Sequence, residues 1–252
     1  MAAAKSVSHN ELLQALSPAR LAPYRGRCTT DQEAVCLYLH NLNLSRELYP
    51  VLNSVEVALR NSIHTAATAH FGSQDWFRDA RLLRLEWRQR NKVDEVQDNF
   101  WRELHLPVRQ IRQGSLPLPP LANVDDHVAA LTFGFWTALL SGPYERRLWD
   151  GARVTTNPNL IPAVFPHAPR ADRVRATIFP LVDRLRKLRN RVSHNEPILW
   201  WSPGLQADYR TARKVLGWIS PTLSQLMQCV DGFDAAYTAG HMHYLTKVIV
   251  TT

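Results

Sequence analysis

The chain has 252 residues, 45% of them hydrophobic, enough to fill one large domain or two small ones and too much for intrinsic disorder. A formal net charge of +8 favours polyanionic partners without separating RNA from DNA or an anionic membrane surface. Cys28, Cys36 and Cys229 form no Cys-x-x-Cys pair and leave one over if two combine, which argues against a zinc ribbon or a disulfide framework and fits a reducing cytosol.

In chain order, residues 1–29 read as an N-terminal extension that starts without the apolar run of a secretory leader and holds a short helix over 9–16. A second short helix is expected over 31–41, opened by Thr30 or Asp31 as a cap. A long one follows over 45–71, where Leu48, Leu52, Val55, Leu59, Ile63 and Ala66 hold one face and Gly72 is the stop. Residues 82–104 form an Arg-rich amphipathic helix, and Leu116-Pro117-Leu118-Pro119-Pro120 an extended connection. Helix resumes over 125–141. The longest apolar stretch lies here, at residues 128–140, and is too short to span a bilayer. A Pro-rich loop over 157–169 leads into the next helix, and a final long helix runs over 205–229 despite Gly217 and Pro221. Strand character is confined to 244–250, too little for a sheet, and residues 241–252 are expected as a mobile tail. The whole is read as one all-α domain, with no membrane partner and a cytoplasmic location.

The helix after the Pro-rich loop carries the chemistry. Val174, Ile178, Leu181, Val182, Leu185, Leu188 and Val192 recur at steps of three and four, the mark of one buried helical face. Pro180 lies inside this run, and Pro197 disfavours a helical Glu196, so the helix should end near His194. Residues 170–191 hold eight basic side chains against Asp172 and Asp183. A solvated face is the bland reading of such a run. Directly after the apolar stripe stands Arg189-Asn190-Arg191-Val192-Ser193-His194, which places a permanent cation, an amide and an imidazole at a helix end. An Arg five positions before a His is expected about once by chance in a chain this rich in both, so the context decides.

The run from Leu188 to Ile198 resembles the Arg-Asn-x-x-x-His signature of the HEPN superfamily, and more narrowly the Abi-like (abortive infection) proteins within it. Two further segments fit that family: Leu131-Thr132-Phe133-Gly134-Phe135-Trp136-Thr137-Ala138-Leu139, with Tyr144 and Trp149 following, and Val55-Glu56-Val57-Ala58-Leu59-Arg60-Asn61-Ser62-Ile63. The likeness extends over residues 30–200. It implies a HEPN-like helical bundle with additional N- and C-terminal helices, a homodimer formed through the motif helices, and metal-independent endoribonuclease activity of a toxin or phage-defence effector, with an antitoxin or regulatory partner. It assigns catalysis to Arg189, Asn190 and His194. Where such proteins often carry a second His, this chain has Asn195.

The chemistry of the residues agrees with that implication. RNA carries its own nucleophile, the 2'-hydroxyl, and needs only a base and a cation. An imidazole titrates near pH 6.5, and a guanidinium donates two parallel hydrogen bonds to phosphate. Five residues of straight helix turn through about 140° and rise roughly 7.5 Å, so Arg189 and His194 converge only if the helix distorts or two copies meet. Arg186, Lys187 and Arg191 are the candidate contacts to the RNA backbone. Trp136, Trp149, Trp200 and Trp201 could stack on bases, Trp200 and Trp201 best of the four, whereas Trp136 falls in an apolar helix and reads as core. His241-Met242-His243 lacks a recognised zinc spacing, and no metal or cofactor is expected. The competing function is a non-catalytic helical module that binds RNA or nucleotide. A membrane-active toxin is disfavoured by the lack of a spanning segment.

Overall fold

The computed structural model describes residues 4–150, 158–202 and 204–251. Residue 157, the expected start of the Pro-rich loop, and residues 1–3 and 252 of the two ends lie outside them. The described residues are predominantly helical, as the periodicity predicts, and none of their helices is long and apolar enough to cross a membrane. Where the sequence suggests one domain, the contacts group into two compact units. The first comprises Met1–Ser54, Lys187–Lys214 and Thr222–Thr252; the second comprises Val55–Arg186 and Val215–Pro221.

In the first unit, strand β1 (Lys5–Ser8) precedes helices α1 (His9–Leu16) and α2 (Pro18–Arg25). Pro18 starts α2, where a missing N–H costs nothing, and Gly26 follows its end. Leu21 and Tyr24 are the buried residues of α2. Residues 31–41 and 45–71, expected as two helices, form one, α3 (Asp31–Phe71). The gap in the apolar pattern is filled by polar residues that are nonetheless buried: Asn41 is fully sealed and Ser45 nearly so, beside Leu44 and Leu48. A hydropathy pattern reads Asn41 as a break because it cannot register that the amide is hydrogen-bonded across the fold.

The sheet is a second departure. Strand β2 (Val248–Thr251) pairs in parallel with β1, Lys5 opposite Val248 and Ser8 opposite Thr251. Gln32 adds side-chain bonds to the Val248 carbonyl and the Val250 N–H. So short a ladder leaves no signal in either segment alone; it exists because the two ends of the chain meet.

The expected helix over 205–229 is divided. Helix α10 (Leu205–Ile219) ends where Ser220 donates to the Leu216 carbonyl, and Pro221, lacking an N–H, begins α11 (Pro221–Leu226). Gly217 is accommodated inside α10. In α12 (Phe233–Ala239), Phe233 stacks on Tyr209 with ring centres 4.4 Å apart, while Asp231 accepts from the Tyr209 hydroxyl and from Arg213.

The second unit is built around aromatic residues. Trp76, Phe77 and Trp136 are all fully buried, with ring centres 5.5 Å apart for Trp76 and Phe77 and 6.3 Å for Trp76 and Trp136. Helix α4 is Trp87–Glu103, shorter than the expected 82–104. Residues 83–86 have no regular structure, and side chains satisfy part of their backbone: Arg147 donates to the Arg84 carbonyl, and the Tyr144 hydroxyl accepts from the Glu86 N–H. Helix α5 (Val108–Arg112) precedes the Pro-rich connection, which has no regular structure. The helix expected over 125–141 is two, α6 (Val124–Ala130) and α7 (Phe133–Leu139). Leu131 between them is extended, and its carbonyl accepts from the Trp136 indole. The Trp149 indole likewise donates to the Leu139 carbonyl, so Trp136 is core as expected and Trp149, a stacking candidate by sequence, is core as well. A short helix, α8 (Ile161–Val164), and the main helix α9 (Arg175–Ser193) follow.

His127 makes this core sensitive to acid. It is 1% exposed, and Arg78 approaches its Nδ1 at 2.9 Å, so the neutral ring must accept there. Burial first, and then the Arg78 cation, push its pKa down to about 4. Because that value lies below the unfolded one of roughly 6.5, the stabilisation is complete above pH 6.5 and is lost as pH falls toward 4. Its full extent is about 3 kcal/mol. Melting curves of wild type and His127→Gln between pH 7 and 4 are expected to show wild type losing more stability than the variant; parallel losses would contradict this role.

Candidate functional site

Helix α9 ends in a way its sequence dictates. Ile178, Val182, Leu185 and Leu188 are fully buried and Val192 is nearly so, whereas Val174 is 40% exposed and precedes the helix. After Ser193 the chain closes a Schellman turn: Asn195 N–H donates to the Val192 carbonyl, and Glu196 N–H to the Arg191 carbonyl, 3.1 and 2.9 Å. Asn195 sits at φ 52°, in the left-handed region that Asn tolerates better than most residues, which gives it a structural role at the position where a second His is absent. Asn195→Gly is expected to retain wild-type stability and Asn195→Ala to lose about 1 kcal/mol, measured by urea unfolding. Equal stabilities would show that the turn does not depend on this backbone conformation.

Three residues that the motif does not contain hold this end in place. Arg20 of α2 donates to the Asn195 carbonyl at 2.7 Å and to the His194 carbonyl at 3.4 Å, a cation against the negative end of the helix. Asn41 accepts from the Ile198 N–H at 2.7 Å and donates to the Glu196 carbonyl at 3.3 Å, so its amide spans Pro197. Glu196 in turn pairs with Arg191 at 2.8 Å. The lone Asn in the apolar face of α3 was the available signal for Asn41; Arg20 lies in a helix that no periodicity announced.

The motif side chains are disposed as follows. His194 and Lys187 are exposed, and Arg189, Asn190 and Arg191 are half-buried, so neither His194 nor Arg189 is sealed in hydrocarbon. The helix does not distort between them. His194 N–H still donates to the Asn190 carbonyl at 3.0 Å, and regular helix runs through Ser193. The two groups therefore leave the axis at about the 140° of an ideal helix and do not share a face within one copy.

What does converge is a second set. A cavity of about 610 Å³ in the first unit is lined by Arg27, Arg191, Pro197 and Trp200 with Ala22, Pro23 and Gly26 of the α2 end. The Arg27 guanidinium lies 4.3 Å over the Trp200 ring, and Tyr24 packs against Trp200 at 5.5 Å. Arg191 lies 5.3 Å over the Trp201 ring. Burial pushes the Tyr24 hydroxyl up to about 12, which keeps it neutral at working pH. Arg27 thus presents a cation backed by an indole ring beside Arg191, whose charge is shared with Glu196, an arrangement suited to phosphate and a planar base. Arg27 was missed because nothing in the linear pattern places residue 27 beside residue 200.

Arg186, the third candidate backbone contact beside Lys187 and Arg191, lies in the second unit and pairs with Asp183 at 2.7 Å. At the far end of the chain, Lys247 contacts His243 Nε2 at 2.6 Å, and among the described residues no group of three or more His, Cys, Asp or Glu is arranged to hold a metal ion. No protein-family profile, curated protein or solved structure matches this chain.

Proposed function

We propose that the chain is a metal-independent endoribonuclease of the Abi-like HEPN type, acting as a homodimer in which two α9 ends form one cleft. His194 removes the proton of a ribose 2'-hydroxyl, and the freed oxygen attacks the adjacent phosphorus. The bond from phosphorus to the 5'-oxygen breaks, and that oxygen takes a proton from the second copy's His194. The products are a 2',3'-cyclic phosphate and a 5'-hydroxyl end. Arg189 neutralises charge on the phosphoryl oxygens, and Asn190 orients the imidazole or a phosphate oxygen through its amide. Lys187 and Arg191 hold the backbone on either side, and Arg186 extends that basic run. A toxin or phage-defence effector held in check by an antitoxin or regulatory partner is the setting this chemistry suits.

The observation that carries the reading is the exposure of His194 at the end of a regular, firmly capped last turn of α9, with Arg189 five residues earlier. A rigid support of this kind is what a proton-transfer group requires. The competing reading, a non-catalytic RNA- or nucleotide-binding module, is favoured by one fact: the cavity beside the helix end is lined by Arg27, Arg191 and Trp200 and by neither Arg189 nor His194. Labelled single-stranded RNA in excess EDTA separates the two. Cleavage by wild type, with DNA of the same sequence left intact, supports the nuclease; binding without cleavage supports the module.

A further inference from the structure

Two large apolar side chains stand further into solvent than any others among the described residues, Leu118 at 71% exposed and Trp87 at 67%, and both belong to the second unit. Leu118 lies in a segment whose shape is set by local sterics. Pro117, Pro119 and Pro120 hold φ at about −65°, and Leu118 and Pro119, each before a proline, are kept extended. Residues 117–120 therefore follow a polyproline II path, which has no internal hydrogen bonds and three residues per turn. That period puts Pro117 and Pro120 on one face, Leu118 and Leu121 on the next and Pro119 on the third. Burial agrees: Pro119 is half-buried and the other four are exposed. The far end is fixed, since the Trp101 indole donates to the Pro120 carbonyl at 3.0 Å and the Ala122 N–H to Gln97 Oε1 at 3.1 Å. A ridge of proline and leucine is thus held ready, with little left to order on binding.

Trp87 borders a groove of the complementary kind. Its cavity of about 440 Å³ is walled by Trp87, Ala138, Pro143 and Phe179, and the Glu86 and Asp183 carboxylates at it are already neutralised, by Arg147 at 3.0 Å and Arg186 at 2.7 Å. Aromatic-lined grooves are what polyproline II segments dock into. Residues 113–124 carry no charge, and their three prolines have no N–H, so the segment offers apolar surface and carbonyl acceptors. The groove offers apolar surface and the donors of Trp87 and Arg88. The bond from Trp101 to Pro120 is the same indole-to-carbonyl pairing, already made inside one copy. We propose that residues 117–121 of one copy dock in the Trp87 groove of a second copy, a contact separate from the α9 ends. It covers the two most exposed apolar groups at once.

Sedimentation of the full chain, freed of nucleic acid, at concentrations rising to millimolar tests the proposal. Wild type should associate beyond the size at which Trp87→Ala and Leu118→Ser stop, the contact being weakened at least about thirtyfold in the first and about tenfold in the second. Both side chains are mostly exposed, so the variants should melt like wild type. Mixing the two variants should restore association in pairs, because the ridge of Trp87→Ala and the groove of Leu118→Ser are both intact. Pro119→Ala, on the inner face, should weaken association roughly two- to fivefold through lost pre-ordering alone. Salt should tighten the contact, since copies of formal charge +8 repel one another, whereas association bridged by RNA loosens with salt. No concentration-dependent association of wild type, or a mixture that stays as small as its parents, overturns the proposal and leaves both surfaces to a foreign partner. His194→Ala should associate like wild type, so this contact stands or falls separately from the nuclease reading.

Discussion

Replacing His194 by Ala is expected to reduce RNA cleavage in EDTA by about 10² to 10⁴, and replacing Arg189 by Ala by about 10² to 10³, with little change in RNA affinity. The first figure is the usual worth of general acid-base help, and the second that of one preorganised donor to a developing charge. His194→Ala should fold normally, because the imidazole is exposed and the bonds at this position are made by its backbone, the N–H to Asn190 and the carbonyl to Arg20. The regular helix between Arg189 and His194 adds a sharper result. On the shared-cleft reading the working Arg189 and His194 come from different copies, so a mixed dimer of the two variants keeps one such pair but lacks the second His194 that serves as acid; it should be more active than the His194→Ala homodimer and well below wild type. A mixed dimer no more active than the His194→Ala homodimer would refute the shared cleft. Activity abolished by EDTA would refute the metal-free chemistry.

The second large effect is on stability. Asn41→Leu should destabilise the protein by roughly 4 kcal/mol, because it leaves the Ile198 N–H and the Glu196 carbonyl without partners at about 1–3 kcal/mol each and adds a misfit in shape. For a chain of this size that lowers the melting temperature by about 10 °C. Asn43→Leu, two residues along and half-buried, should stay within about 1 kcal/mol of wild type. Leucine is the better helix former and continues the apolar face of α3, so propensity alone predicts the opposite sign for Asn41. Faster amide exchange at Ile198 in the variant would locate the damage. A loss below 1 kcal/mol would mean that Asn41 does not hold the loop after the motif.

How much could be read from the residues alone is clearest at α9. The spacing from Ile178 to Val192 fixed its buried face, and Pro197 fixed its end to within a residue of the observed one, because helical period and proline chemistry are local. The same locality misled at three places. It divided α3 at Asn41, joined α6 to α7 across Leu131, and joined α10 to α11 across Ser220. At the first two, the deciding hydrogen bond comes from outside the pattern, from the loop at 196–198 or the Trp136 indole. At the third, a proline that looked tolerable inside a helix starts a new one.

By itself, then, the sequence determined the helical class, the basic surplus and the position of Arg189, Asn190 and His194 at a helix end, since each depends on neighbours within a few residues. Only the tertiary structure decided that Arg20 and Asn41 grip that end, that Arg27 lies over Trp200, and that residues 5–8 pair with 248–251. These contacts join residues more than 150 positions apart, and they form because buried amides, carbonyls and rings must find partners wherever the fold supplies them.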